Sequence, residues 1–191
     1  MRVAITGLIG SGKSEVLRYL SGKGCRTLSA DSVNRELLAD PSYIEKLKNI
    51  FPKAVRNGAV DRKLIAEIIY NDEGKRNELN ALAHPIITKT LIDRSNYGLW
   101  FIEAPLLMDD SAYKFDKIWK VEASEGYRLD RVAKRDHITP EFVSKILAAQ
   151  RGYPLIDDMY CDILDNDGDI NRLLRQVDKL CANLPKIKDE K

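Results

Sequence analysis

The sequence predicts a three-layer, doubly wound α/β fold built on a five-stranded parallel sheet, and three observations carry that expectation. Short apolar runs alternate along the chain with segments of helical periodicity, the pattern of successive strand–helix–strand units. The first run, Val3-Ala4-Ile5-Thr6, leads directly into Gly7-Leu8-Ile9-Gly10-Ser11-Gly12-Lys13-Ser14, a glycine-rich turn that opens a helix. The 191 residues suit one domain of this class, with room for an inserted helical piece.

Each element has a local reason. Val16, Leu17 and Leu20 recur at helical spacing and Gly22 and Gly24 close the pattern, so the first helix spans 13 to 22. Residues 25 to 30 read as the second strand, with Asp31 at its C-terminal end, the edge that faces ligands in open α/β sheets. Residues 32 to 95 carry helical patterns, at 33–39, 43–50, 63–71, 73–83 and 85–95, and form an insertion between strands. Residues 99 to 102 and 117 to 121 are strands of the buried type. From 124 to 150 the pattern is helical again, interrupted at Thr139-Pro140, an N-cap followed by a first-turn proline. Residues 161 to 165 form the fifth strand, Asn166-Asp167-Gly168 a turn, and 169 to 184 the last helix.

Composition narrows the partners. Thirty-one Lys and Arg against 29 Asp and Glu leave a net charge of +2, too balanced for a nucleic-acid footprint. No apolar run approaches the roughly 18 residues of a membrane span. The chain opens on strand one, which leaves no room for a targeting segment, so a cytoplasmic protein is expected. Cys25, Cys161 and Cys181 are odd in number and widely spaced, which favours reduced thiols over a disulfide or a zinc site. The segment 185–191 reads as a solvated terminus.

The glycine-rich turn satisfies the spacing G-x-x-x-x-G-K-S. Gly7, Gly10 and Gly12 let successive backbone N–H groups point into one concavity, where Ser11 and the helix N-terminus meet phosphate oxygens. Lys13 reaches the β- and γ-phosphates and the Ser14 hydroxyl takes a place on Mg²⁺. Glu15 completes the nucleotide-binding set. Asp31 is placed to accept or orient the proton of an acceptor hydroxyl, although Ser29-Ala30-Asp31-Ser32 also fits the N-cap of the next helix. Glu103 follows a strand at the position from which an acid holds Mg²⁺ through its water; strand-end acids are also common without that role. Arg128, Arg131 and Arg135 share one helix face at i, i+3 and i+7, a solvated basic stripe or a set of phosphate-directed cations. His84 and His137 have no partner at metal-ligand spacing.

Taken together, these segments resemble the dephospho-coenzyme A kinases. The resemblance runs from residue 3 to about 182 and rests on the phosphate loop from Thr6 to Ser14, on Ala30-Asp31 with Arg35, on Leu79 to Ile87 around His84-Pro85, and on Pro105-Leu106-Leu107. It continues through Arg131, Arg135-Asp136 and Ile146 to Gln150, and ends at Ile163-Leu164-Asp165-Asn166. It implies a phosphate-loop kinase fold with sheet order 2-3-1-4-5, and transfer of the ATP γ-phosphoryl group to the ribose 3′-hydroxyl of dephospho-coenzyme A with Mg²⁺. On that resemblance Asp31 is the general base, and Lys13, Arg131 and Arg135 act on the transferring group. Arg35, His84, Pro105 and Leu106 bind the acceptor, and Asn166 lies near the adenine.

The implied division is a nucleotide-binding core of 1–31, 96–123 and 156–191, an acceptor-binding insertion of 32–95 and a lid of 124–155. A monomer or weak homo-oligomer is expected. Two departures stand out: family members usually carry Asp-Ala-Asp where this chain has Ser29-Ala30-Asp31, and Gly152 and Pro154 interrupt the helix after Gln150. A nucleoside monophosphate kinase of the same fold and a non-catalytic nucleotide-binding module are the alternatives; no Asn-Lys-x-Asp guanine-reading motif occurs.

Overall fold

The computed structural model of the protein describes residues 1–105, 114–151 and 156–185. In chain order the described elements are β1 (Arg2–Thr6), α1 (Lys13–Gly22), β2 (Arg26–Ser29), α2 (Ala30–Leu37), α3 (Pro41–Ile50), β3 (Val55–Arg56), β4 (Ala59–Val60), α4 (Arg62–Asn71), α5 (Glu73–Arg94), β5 (Trp100–Glu103), β6 (Lys117–Glu122), α6 (Glu125–Asp136), α7 (Pro140–Arg151), β7 (Asp162–Asp165) and α8 (Ile170–Ala182). The chain divides into two compact units, one of Met1–Ser29 with Ser95–Lys191 and one of Ala30–Arg94.

The first unit is built on a parallel sheet in the order β2-β5-β1-β6-β7. With the small β3–β4 hairpin set aside, this is the expected order 2-3-1-4-5. Residues alternate between the faces of the sheet. Val3, Ile5, Phe101, Trp119, Val121 and Leu164 pack against Val16 and Leu20 of α1 and Leu173 and Val177 of α8. Ala4 and Ile118 form the opposite cluster with Ile156. Trp119 is fully buried, and its ring lies 5.3 Å from that of Phe101 at a tilt of 47°, a geometry that adds to area burial. Helix α8 presents Leu173, Val177, Leu180 and Cys181 at helical spacing, and Asp169 caps it by accepting from Asn171 N–H at 3.0 Å. At its far end Asp178 accepts from the Tyr19 hydroxyl at 2.8 Å and from Lys23 Nζ at 2.5 Å, and the Lys23 ammonium holds the Asp178 carboxyl below its usual range. Cys25, Cys161 and Cys181 are free thiols; burial, reinforced by Cys25, pushes the Cys181 thiol up to about 11, so it stays protonated at neutral pH.

The second unit is helical. Asp40 caps α3 through Ser42 and Tyr43 N–H, and Asp61 caps α4 through Leu64 N–H. Tyr43, Ile44, Leu47, Phe51, Val55 and Ile65 form its core. Glu36 of α2 accepts from both Arg94 guanidinium nitrogens, at 3.1 and 2.6 Å, which lowers the Glu36 carboxyl.

The structure corrects three boundaries. Strand β2 stops at Ser29 and α2 starts at Ala30, so Asp31 sits in the first turn of a helix and not on a strand end. The two helices expected at 73–83 and 85–95 are one, α5, with Pro85 inside it. A proline deprives the carbonyl four residues back, here that of Ala81, of its partner; Ala81 is exposed, and water can take that place. The β3–β4 hairpin was not expected: Asn57 and Gly58 connect Val55-Arg56 to Ala59-Val60 with φ of 50° and 75°, the positive pair that a type I′ turn requires. Among the described residues no helix is long and apolar enough to cross a membrane.

Candidate active site

The loop between β1 and α1 owes its shape to three glycines with φ of 138°, 77° and 109° at Gly7, Gly10 and Gly12. All three also answer to neighbours: a Cβ on Gly7 would overlap the Val121 carbonyl oxygen. A Cβ on Gly10 would lie 2.7 Å from the Arg128 carbonyl oxygen, and one on Gly12 would overlap Asn166 Nδ2. Gly12 is the N-cap of α1 and offers no side chain to cap it; its carbonyl accepts from Glu15 and Val16 N–H at 3.0 and 3.2 Å, and the N-terminal end of the helix dipole faces the loop. Lys13 is 7% exposed and its Nζ donates to the Leu8 carbonyl at 3.0 Å, so the ammonium folds back over the loop.

Sequence spacing could not reveal how the loop is held from outside. Asn166, at the end of β7, donates through Nδ2 to the Ser11 carbonyl at 2.6 Å. Arg131 of α6 donates to the Asn166 carbonyl at 2.8 Å and to the Gly10 carbonyl at 3.4 Å, and stacks over the Tyr127 ring at 5.5 Å. Ile9 of the loop joins the small core in which Val132 of α6 packs on Val143 and Leu147 of α7. Helices α6 and α7, expected as a lid, thus lie within the sheet unit and touch the loop through Ile9, Arg128 and Arg131.

The three arginines on one face have different surroundings. Arg128 is 8% exposed and donates Nε to the Ala123 carbonyl at 3.1 Å. Arg131 is on the loop, as described. Arg135 donates Nε and Nη2 to Asp136, each at 2.7 Å, and that hydrogen bonding holds the Asp136 carboxyl below its usual range.

On the other side of the loop, Glu103 ends β5 at a register position beside both Ile5 and Ser29. It is 5% exposed. Its Oε1 accepts from Ser14 Oγ at 3.0 Å and its Oε2 from Ser29 Oγ at 3.3 Å. It forms no ion pair among the described residues. Ser14 and Glu103, singled out separately in the sequence, therefore meet. Glu15 points elsewhere, paired with Arg18 at 2.5 Å on the exposed side of α1.

A cavity of about 390 Å³ opens beside the loop, lined among others by Leu8, Ser11, Lys120, Ser124, Arg128 and Asp167. Ser11 Oγ is buried without a hydrogen-bond partner among the described residues. Asp167 accepts from Ser124 N–H at 2.6 Å and fixes the rim. Burial works against the Lys120 charge, but hydrogen bonds to Asp158 and Glu122 outweigh it and raise the ammonium above its usual range. Of these residues Leu8 and Ser11 belong to the phosphate-loop motif, Arg128 to the basic face and Asp167 to the turn, whereas Lys120 and Ser124 were not singled out in the sequence.

In the helical unit, Asp31 and Arg35 lie one turn apart on α2, where Arg35 Nε donates to the Asp31 carbonyl at 3.4 Å. His84 is half-buried in α5, directly before Pro85. Pro105 forms a turn two residues past β5, and Leu106 lies outside the described residues.

The family model described as dephospho-CoA kinase matches residues 1–172. The chain belongs to the dephospho-CoA kinase family. A dephospho-CoA kinase from Legionella pneumophila is 34% identical over 187 residues, covering 93% of this chain and 92% of its own. Among solved structures, TT1252 from Thermus thermophilus superposes with a TM-score of 0.74 at 29% identity, covering 97% of this chain and 98% of its own. A dephospho-CoA kinase from Campylobacter jejuni, at 20% identity and a TM-score of 0.58, covers 95% of both chains and shares the fold. The dephospho-CoA kinase family model thus spans both units, and it takes in the phosphate loop, Glu103, Arg131 and Asn166 alike.

Proposed function

We propose that this chain transfers the γ-phosphoryl group of ATP to the ribose 3′-hydroxyl of dephospho-coenzyme A, the step that completes coenzyme A. The observation that carries the reading is the family match across residues 1–172, laid over a loop whose glycines, Lys13 and uncapped helix N-terminus suit a triphosphate. Phosphoryl transfer asks for positioning and charge neutralisation more than for covalent chemistry. The backbone N–H groups of residues 10 to 14 hold the β- and γ-phosphates, and Lys13 exchanges its Leu8 carbonyl for a phosphate oxygen. The nucleoside end takes the cavity beside Ser11 and Arg128, with Asn166 close by.

Mg²⁺ suits the donor set, since Ser14 and the buried Glu103 carboxylate offer oxygen only and no cation offsets that carboxylate among the described residues. Ser14 and Glu103 would hold it, and bound there it would neutralise phosphate charge. Asp31 accepts the proton of the 3′-hydroxyl and orients its oxygen toward the phosphorus. Arg35, His84, Pro105 and Leu106 bind the acceptor. Arg131 and Arg135 bring positive charge to the transferring group from a lid of residues 124–155, whose closure excludes the water that would otherwise consume ATP. ATP as co-substrate and free thiols at Cys25, Cys161 and Cys181 support a cytoplasmic setting.

The test is a coupled ADP-release assay with Mg-ATP that compares dephospho-coenzyme A, a panel of nucleoside monophosphates and no acceptor. Turnover confined to dephospho-coenzyme A is expected. Turnover with a monophosphate would replace the acceptor, and nucleotide binding without turnover would remove the kinase reading.

A further inference from the structure

Glu103 is held from two sides, and only one of them belongs to the phosphate loop. Strands β2 and β5 are paired in parallel with Ser29 aligned to Glu103, so the two side chains emerge on the same face of the sheet. Ser29 Oγ donates to Glu103 Oε2 at 3.3 Å while Ser14 Oγ donates to Oε1 at 3.0 Å. The terminal torsion of a glutamate is soft and roughly two-fold, so a carboxylate anchored at one oxygen still swings about that anchor. The second hydroxyl removes that freedom. It also adds no charge, which leaves Glu103 as the single carboxylate in this trio of side chains, at 5% exposure.

We propose that Ser29 is a positioning residue for the divalent cation: by fixing Glu103 Oε2 it keeps Oε1 turned toward Ser14, and so sets the affinity of the site for Mg²⁺. The inference rests on the reading of Ser14 and Glu103 as cation-holding residues and adds a third residue, on a different strand, that touches neither nucleotide nor metal. The acceptor is a carboxylate but the bond is long, 3.3 Å, and its loss weakens the site by about two- to tenfold.

Calorimetric titration of the protein with ADP, in EDTA and across a series of Mg²⁺ concentrations, tests it without turnover. In EDTA, wild type, Ser29→Ala and Ser29→Thr should bind ADP equally. With Mg²⁺, the concentration giving half of the Mg²⁺-dependent gain in ADP affinity should rise about two- to tenfold in Ser29→Ala and return to the wild-type value in Ser29→Thr, which restores the hydroxyl. An unchanged Mg²⁺ midpoint in Ser29→Ala overturns the proposal. So does an equal loss of ADP affinity in EDTA, which would make the role structural. A wild-type protein whose ADP binding ignores Mg²⁺, or a Glu103→Gln variant with a normal Mg²⁺ response, would instead bring down the Ser14–Glu103 reading underneath.

Discussion

At the scale of single residues, Asp31 shows how a small shift in a boundary changes a chemical role. On a strand end its carboxylate would be aimed by the sheet; in the first turn of α2 it is aimed by the helix backbone instead, one turn ahead of Arg35. Replacing Asp31 with Asn should lower turnover by roughly 10²- to 10⁴-fold while ADP affinity stays at the wild-type value, as steady-state rates beside calorimetry would show. Equal rates would end the general-base role. Much of the site was legible at this scale, because the phosphate loop is a local motif: glycine spacing, Lys13 and Ser14 are all within eight residues. What stayed hidden is what the loop touches. Ser29 and Ser14 converge on Glu103 only through strand register, and Arg131 and Arg135, alike in sequence, part company because one reaches Gly10 and Asn166 while the other lies beside Asp136.

At the scale of elements, turn chemistry decides most of the differences between expectation and structure. Asn57-Gly58 between Val55 and Val60 carries the signature of a two-residue hairpin, but strands this short leave no alternation for periodicity to detect. Pro85 has the opposite effect: it reads as a helix boundary, yet α5 continues because its packing within the helical unit outweighs one missing hydrogen bond on an exposed side. Helix α6 ends on His137, which carries a Cβ and an imidazole and is held at φ 52° and ψ 44°. That left-handed conformation is the usual place of glycine. His137→Gly should therefore stabilise the sheet unit by about 0.5–1 kcal/mol in denaturant titrations, since relief of the strained φ outweighs the greater freedom of glycine in the unfolded chain. A loss of stability would mean that the His137 side chain contributes more than its backbone costs.

At the scale of the molecule, each unit has its own core, and this separates stability from phosphate binding. Phe51 is 2% exposed among the side chains of the helical unit. Phe51→Ala should cost that unit about 3–5 kcal/mol, seen as faster hydrogen exchange confined to residues 30–94, with ADP affinity at the phosphate loop within twofold of wild type. Faster exchange across β1 and β6 as well would show that the two cores unfold as one.

The strand order has a further consequence, for the time the chain takes to become itself. β1 occupies the centre of the sheet, yet both of its neighbours, β5 and β6, begin about a hundred residues later. A nascent chain leaving the ribosome exposes the apolar Val3-Ala4-Ile5 with no strand to pair with, while residues 30–94, which contain the whole cluster around Leu47 and Phe51, are already complete. The helical unit should thus acquire protected amides first and the phosphate loop last, when β5 and β6 close on β1. Pulse-labelled hydrogen exchange during refolding should record that sequence, with the capacity to bind ADP arriving only in the final, slower phase.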